Sequence, residues 1–188
     1  MLYDRDIREP LFDFLEETYG KIRILEEKMM GRSRADAVMV TADALYGIEI
    51  KSDADTYARL DRQVQDYDRY YDFNVAAVGT SHGLHIKEHV PDWWGIITVE
   101  EVAGQADFYL FRRPRPNPRV SMKRKVSILW RSELAHIQQT NALPRYRQKS
   151  KRFVQEKLLE RVPHDTLQRQ ICRELFERDY TLMGKATE

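Results

Sequence analysis

The chain predicts a mixed α/β fold, with a central sheet flanked by helices in the order αβββαβ and a small C-terminal helical part. Three observations predict it. Two β-rich runs, Ala37 to Thr41 and Leu45 to Ile50, stand either side of Ala42, Asp43 and Ala44, a pattern that suits a hairpin. Leu60, Val64, Tyr67 and Tyr71 recur at helical spacing, and Phe73 to Gly79 is an apolar run suited to a strand buried on both faces. Beyond residue 124 the pattern is helical.

Asp6 to Tyr19 reads as an amphipathic helix with Ile7, Leu11, Phe14 and Leu15 on one face, Asp6 as cap and Gly20 as stop. Lys21 to Lys28 follows as a strand, and Gly31 to Ser33 turns the chain into the central hairpin. After the hairpin, Ser52 to Thr56 is a polar loop rich in capping residues, and a helix runs from Tyr57 to Tyr71. A short helix near Gly83 to His89 and a strand from Gly95 to Val99 complete the sheet region. His82, His85 and His89 fall at helical spacing but lack a Cys or an acidic pair at ligand spacing, so they read as packed or solvated. Three further helices are expected over Lys125–Thr140, Ser150–Arg161 and Asp165–Tyr180.

The 188 residues fit a core over 1–110, a basic proline-rich linker over 111–124 and a helical appendage over 125–188. No apolar run is long enough to span a membrane and the start lacks a secretory layout. With a single cysteine, Cys172, neither a disulfide framework nor a cysteine metal site is available, so a cytoplasmic setting is expected. The net charge of +1 conceals an asymmetry. Residues 1–110 hold 12 Lys and Arg against 22 Asp and Glu, while 111–152 hold 13 against 1. A block this basic suits a phosphate-binding surface; the competing reading is that it folds back on the acidic half of its own chain.

A two-residue loop at Ala42 and Asp43 gives a register in which paired residues have numbers summing to 85, which sets Met39 against Tyr46 and Asp36 against Glu49. Lys51, two residues beyond Glu49, shares that face. Two carboxylates held this close repel unless a cation joins them, and a hard divalent metal with oxygen ligands is the natural partner. The competing reading is a polar strand end with a surface Glu–Lys pair. Ala-Asp is not a strong hairpin turn, and a slip of one residue would separate the two acids.

Asp36, a dozen residues, then Glu49-Ile50-Lys51 at the end of the second strand resembles the PD-(D/E)XK nuclease superfamily, with Ala35 in place of the usual proline. The wider string, Arg34-x-Asp36, Tyr46-Gly-Ile-Glu-Ile-Lys-Ser-Asp53 and a helix with Arg62-Gln-Val-Gln-Asp-Tyr67, is similar to a small bacterial branch of it. The resemblance covers residues 6 to 100 and implies a restriction-endonuclease-like core. It also implies a nuclease in which Asp36 and Glu49 ligate Mg²⁺ or Mn²⁺, the Ile50 carbonyl adds a ligand and Lys51 steadies the attacking water. An upstream acid, Glu26 or Glu27, or else Glu16 or Glu17, could complete the metal site. Gln63 followed four residues later by Tyr67 resembles the RecB-type branch, where that Gln lies by the active site.

The expected partner is nucleic acid, DNA first. Arg34 and Tyr67 are candidates for contact near the site, and Arg145, Arg147, Lys149, Lys151 and Arg152 for contact on the helical part. A homodimer is compatible with this class of enzyme. The alternative is a catalytically silent nucleic-acid-binding or adaptor protein that uses the 111–152 block.

Overall fold

The computed structural model describes residues 2–180, apart from the side chain of Glu27. Helix α1 (Asp4–Tyr19) leads into β1 (Arg23–Met30), β2 (Ser33–Val40) and β3 (Leu45–Lys51). Helix α2 (Leu60–Tyr70), β4 (Phe73–Gly79), a short α3 (Thr80–Gly83) and a 3-10 turn at Ile86–Glu88 follow, then β5 (Gly95–Val102) and β6 (Gln105–Arg112). Four helices close the described chain: α4 (Met122–Ile128), α5 (Arg131–Thr140), α6 (Lys151–Arg161) and α7 (His164–Phe176). The strands form one six-stranded sheet in chain order. The β1–β2–β3 and β5–β6 pairings are antiparallel, while β3–β4–β5 are parallel. The expected class, a mixed sheet with flanking helices and a helical C-terminal part, is the one observed.

Each face of the sheet has its own cover. Ile7, Leu11 and Leu15 of α1 pack on Met39, Ile48, Val75 and Ile97. On the other face Val38, Leu45, Ala76 and Ile96 meet Leu60 and Tyr67 of α2 and Tyr71 just beyond it, and the same cluster runs on through Leu134, Leu158 and Ile171. The C-terminal helices therefore share a core with the sheet. Strand β4 has both faces covered, which is why its sequence is an unbroken apolar run.

The central hairpin has the register expected, Ala37 opposite Ile48 and Met39 opposite Tyr46. The turn tolerates Ala-Asp because Thr41 does the work. Its N–H donates to the Ala44 carbonyl at 3.0 Å, and its hydroxyl accepts the Ala44 N–H at 3.1 Å.

Several elements differ from the sequence reading. Strand β6 was not expected, and it ends at Arg112, past the 110 boundary; its two-residue turn places Ala103 and Gly104 at positive φ, 52° and 79°. The single helix expected over Lys125–Thr140 is two, broken at Leu129 and Trp130. There the Glu133 carboxylate reaches back to accept the Trp130 N–H at 2.6 Å and starts α5 afresh. The helix expected to reach Tyr180 ends at Phe176. Residues 113–121 are a strap fixed to the core. Arg115 N–H donates to the Trp93 carbonyl and Asn117 N–H to the Asp72 carbonyl, while the buried Asn117 amide donates to the carbonyls of Asp68 and Tyr71 at 2.8 and 2.7 Å.

Gly47 lets α2 approach β3. A Cβ there would lie 2.3 Å from the Tyr71 ring and 2.4 Å from the Tyr67 ring. Gly47→Ala is expected to cost about 1–3 kcal/mol through overpacking, lowering the thermal midpoint by roughly 2–4 °C per kcal/mol; a melt within a degree of wild type would show that α2 yields freely.

Candidate active site

The β2–β3 ladder stops at Ala37 and Ile48, and the strands part beyond it. The Ile50 N–H, left without a carbonyl, donates instead to Asp36 Oδ2 at 2.8 Å. In a strand the N–H and C=O of one residue point to the same neighbour, so the Ile50 carbonyl also faces the Asp36 side. Glu49 and Lys51 are buried, 0% and 6% exposed, with Lys51 Nζ 2.7 Å from Glu49 Oε1. Gln63 of α2 donates to the same Glu49 oxygen at 2.5 Å, and its own carbonyl accepts from Lys51 at 3.4 Å. The Tyr67 hydroxyl lies 2.8 Å from Glu49 Oε2 and 2.8 Å from the Ile48 carbonyl, and it accepts the Asp36 N–H at 3.3 Å.

Asp36, Glu49, Ile50, Lys51, Gln63 and Arg34 line one cleft of about 420 Å³. The structure thus brings together the expected acid pair, the lysine and the glutamine. Burial and the neighbouring Glu49 charge push Asp36 up to about 7, against the pull of the Ile50 N–H, Lys51 and Arg8. A carboxylate held this way resists ionisation, and a nearby cation would favour its charged form. Two carboxylates with a backbone carbonyl make an all-oxygen donor set that leaves positions for water and a phosphate, which fits Mg²⁺ or Mn²⁺. Among the described residues no group of three or more His, Cys, Asp or Glu is placed to hold a metal ion.

Other expected site residues lie elsewhere. Tyr67 is fully buried, so it cannot touch a substrate; it positions Asp36 and Glu49. Glu26 pairs across the sheet with Ala37, on the α1 side, and its carboxylate meets Arg8 at 3.5 Å. The Glu27 side chain lies outside the described residues. Glu16 and Glu17 are exposed on α1. Arg145 and Arg147 line a different cavity, about 580 Å³, with Arg131 and His136. Lys151 donates to the Ser127 carbonyl at 3.2 Å, and Arg152 pairs with Glu156 at 2.9 Å. Neither these two nor Lys149 lines the Asp36–Glu49 cleft. His82 and His89 pack on the Tyr57 ring. The sequence reading missed Arg32, Arg59 and Arg62, which line the cleft beside Arg34. The available signal was spacing, since Arg59 and Arg62 are three apart at the start of α2.

Fold and site define an α/β protein with a carboxylate pair and a lysine at the parted end of its central hairpin. The chain belongs to the family described as bacteriophage P4 protein cII, whose model matches residues 2–185. No curated protein and no solved structure matches the chain. Among the described residues no helix is long and apolar enough to cross a membrane.

The raised Asp36 value makes stability depend on pH. The folded chain holds this proton up to about 7, whereas an unfolded Asp releases it near pH 4. This contribution is therefore complete below about pH 4 and is lost as pH rises through 7, by about 4 kcal/mol at most. Asp36→Asn, which keeps an acceptor for the Ile50 N–H, is expected to flatten this slope between about pH 4 and 7. Denaturant titrations in EDTA check it; parallel curves for the two proteins would show that Asp36 ionises freely.

Proposed function

We propose that this protein is a divalent-metal-dependent nuclease that hydrolyses phosphodiester bonds of DNA, built on the PD-(D/E)XK plan and working in the reducing cytoplasm. The observation that carries this reading is the meeting of Asp36, Glu49 and Lys51 in one cleft. Asp36, Glu49 and the Ile50 carbonyl would hold Mg²⁺ or Mn²⁺. Once bound, the ion supplies Lewis acidity toward a phosphate oxygen and an acidified water.

The chain's own groups do the positioning. Tyr67 and Gln63 fix the two Glu49 oxygens, so the carboxylate does not reorganise during reaction. Lys51, steered by the Gln63 carbonyl, is placed to donate to a phosphate oxygen as negative charge grows there. Water adds to phosphorus as the bond to the leaving sugar oxygen breaks; the water gives up a proton to solvent and the departing oxygen takes one from solvent. Arg145, Arg147, Lys149, Lys151 and Arg152 provide a second phosphate-binding surface away from the cleft.

One observation favours the silent alternative. Both Glu49 oxygens already accept protein donors, with Lys51 standing as internal counter-ion. A panel of labelled duplex, single-stranded and branched DNA and of RNA, with Mg²⁺ or Mn²⁺, separates the two readings. Cleavage is expected, falling by about 10²–10³-fold or more in Glu49→Gln and Lys51→Ala, as when a group that stabilises charge in the transition state is removed. Cleavage unchanged in both variants would place the activity elsewhere. Salt-sensitive binding with no cleavage under either ion would support the binding protein.

A further inference from the structure

The mouth of the Asp36–Glu49 cleft carries four arginines that the chemistry above leaves unused. Arg32 sits in the two-residue turn between β1 and β2, and Arg34 lies near the start of β2. Arg59 precedes α2 and Arg62 lies in its first turn. All four are exposed and line the cleft. The turn is anchored. Ser33 donates to the buried Asp66 at 2.6 Å, Gly31 N–H donates to the Tyr70 hydroxyl at 3.1 Å, and a Cβ on Gly31 would lie 2.7 Å from Asp66. The arginines of both elements are thus held in a fixed relation to α2.

Arg32, Arg59 and Arg62 make no ion pair among the described residues. The two cleft acids outside the proposed metal set are already engaged. Asp4 is held by Arg8 through two bonds of 2.9 Å, and Asp55 accepts the Ser52 N–H and hydroxyl at 2.8 and 2.7 Å. Exposed guanidinia grouped in this way fit a polyanion. Two further features narrow the ligand. Among the described residues no aromatic ring lines the cleft, so unpaired bases find there no stacking platform of the kind single-strand binders use. The Gln63 amide, the lining group most suited to reading a base edge, is already committed to Glu49 and Lys51. Phosphate oxygens are what the cleft is equipped to hold.

We propose that Arg32, Arg34, Arg59 and Arg62 form a phosphate clamp for the backbone of duplex DNA, which seats a strand at the cleft without reading its sequence. The clamp deepens the nuclease reading and rests on it only for what happens to the strand once held. Fluorescence anisotropy of the whole protein with a short labelled duplex, and with one of its strands alone, tests the clamp in EDTA between about 50 and 200 mM salt. The duplex is expected to bind more tightly, and two unrelated duplex sequences equally.

Replacing Arg32, Arg59 and Arg62 together by Gln is expected to lower the salt slope by about 0.9 per lost contact, about 2.7 in all; replacing them by Lys keeps it. The three single Gln variants, each expected to lose about 0.9, serve if the triple variant folds poorly. An unchanged slope in the Gln variants, tighter binding of the single strand, or marked preference between the two sequences would overturn the clamp. Failure of the two readings is distinguishable. Slope loss without any metal-dependent cleavage retains the clamp and removes the nuclease, whereas cleavage with an unchanged slope removes the clamp alone.

Discussion

The hydroxyl of Tyr67 is the point on which the site depends. It accepts the Asp36 N–H from β2 and lies against Glu49 Oε2 and the Ile48 carbonyl of β3, so one atom ties the helix to both strands that carry the acids. It gets there because residue 47 has no side chain. It stays there because α2 is fixed from behind, with the Tyr67 ring packed against Trp94 and Tyr71. Next along the helix, Asp68 accepts from both Trp93 and Trp94 indoles and from Asn74. The strap closes this arrangement through the Asn117 amide on the Asp68 and Tyr71 carbonyls. Asn117, 49 positions beyond Asp68 in the chain, therefore helps set the geometry of the acid pair.

The parting of β2 and β3 is equally structural. Where a ladder ends inside a protein, backbone N–H groups need new acceptors. Asp36 supplies one for Ile50, and Arg8 of α1 takes the Asp36 carbonyl at 3.2 Å. Asp36 thus has a job in the fold whether or not a cation binds. That explains how a carboxylate burdened by burial and a like charge is tolerated. It holds one end of a strand in place, and its ionisation is what a bound cation would favour.

Much of this was legible in the sequence. The hairpin register followed from a two-residue loop, and the meeting of Asp36, Glu49 and Lys51 followed from the register, whereas Gln63 was pointed to by the family resemblance. The turn itself was the obscure part, because the groups that stabilise it belong to Thr41 rather than to the two loop residues. Strand β6 escaped because Tyr109 and Phe111 are exposed at 69% and 56%. With apolar residues on both faces, the alternation that marks a half-buried strand is erased. The break before α5 escaped for a different reason, as its capping acceptor is Glu133, three residues inside the helix, and Trp130 is not a capping residue type. Tyr67 was placed correctly on its helix, but spacing alone cannot tell a hydroxyl aimed at a substrate from one buried against a carboxylate.

Charge was the least transferable signal, because a count along the chain is not a count on a surface. Part of the basic block folds back on the acidic half, as the competing reading held. Lys125 is buried with Asp72 at 2.5 Å and beside Gln168, and Arg119 lies 3.5 Å from Asp68 and over the Trp93 ring. Arg112 donates to the Trp94 and Pro91 carbonyls, and Arg131 to those of Tyr146 and Lys149. These cations hold the strap and the helices in place and are largely spent there. Meanwhile the half of the chain with an excess of ten acids presents Arg32, Arg59 and Arg62 at its cleft, where Glu49 is buried and Asp4 and Asp55 are engaged by Arg8 and Ser52. A polyanion approaching this protein would meet the local field at the cleft mouth rather than the chain's overall balance, and the guanidinia there line the same cleft as Asp36, Glu49 and Lys51.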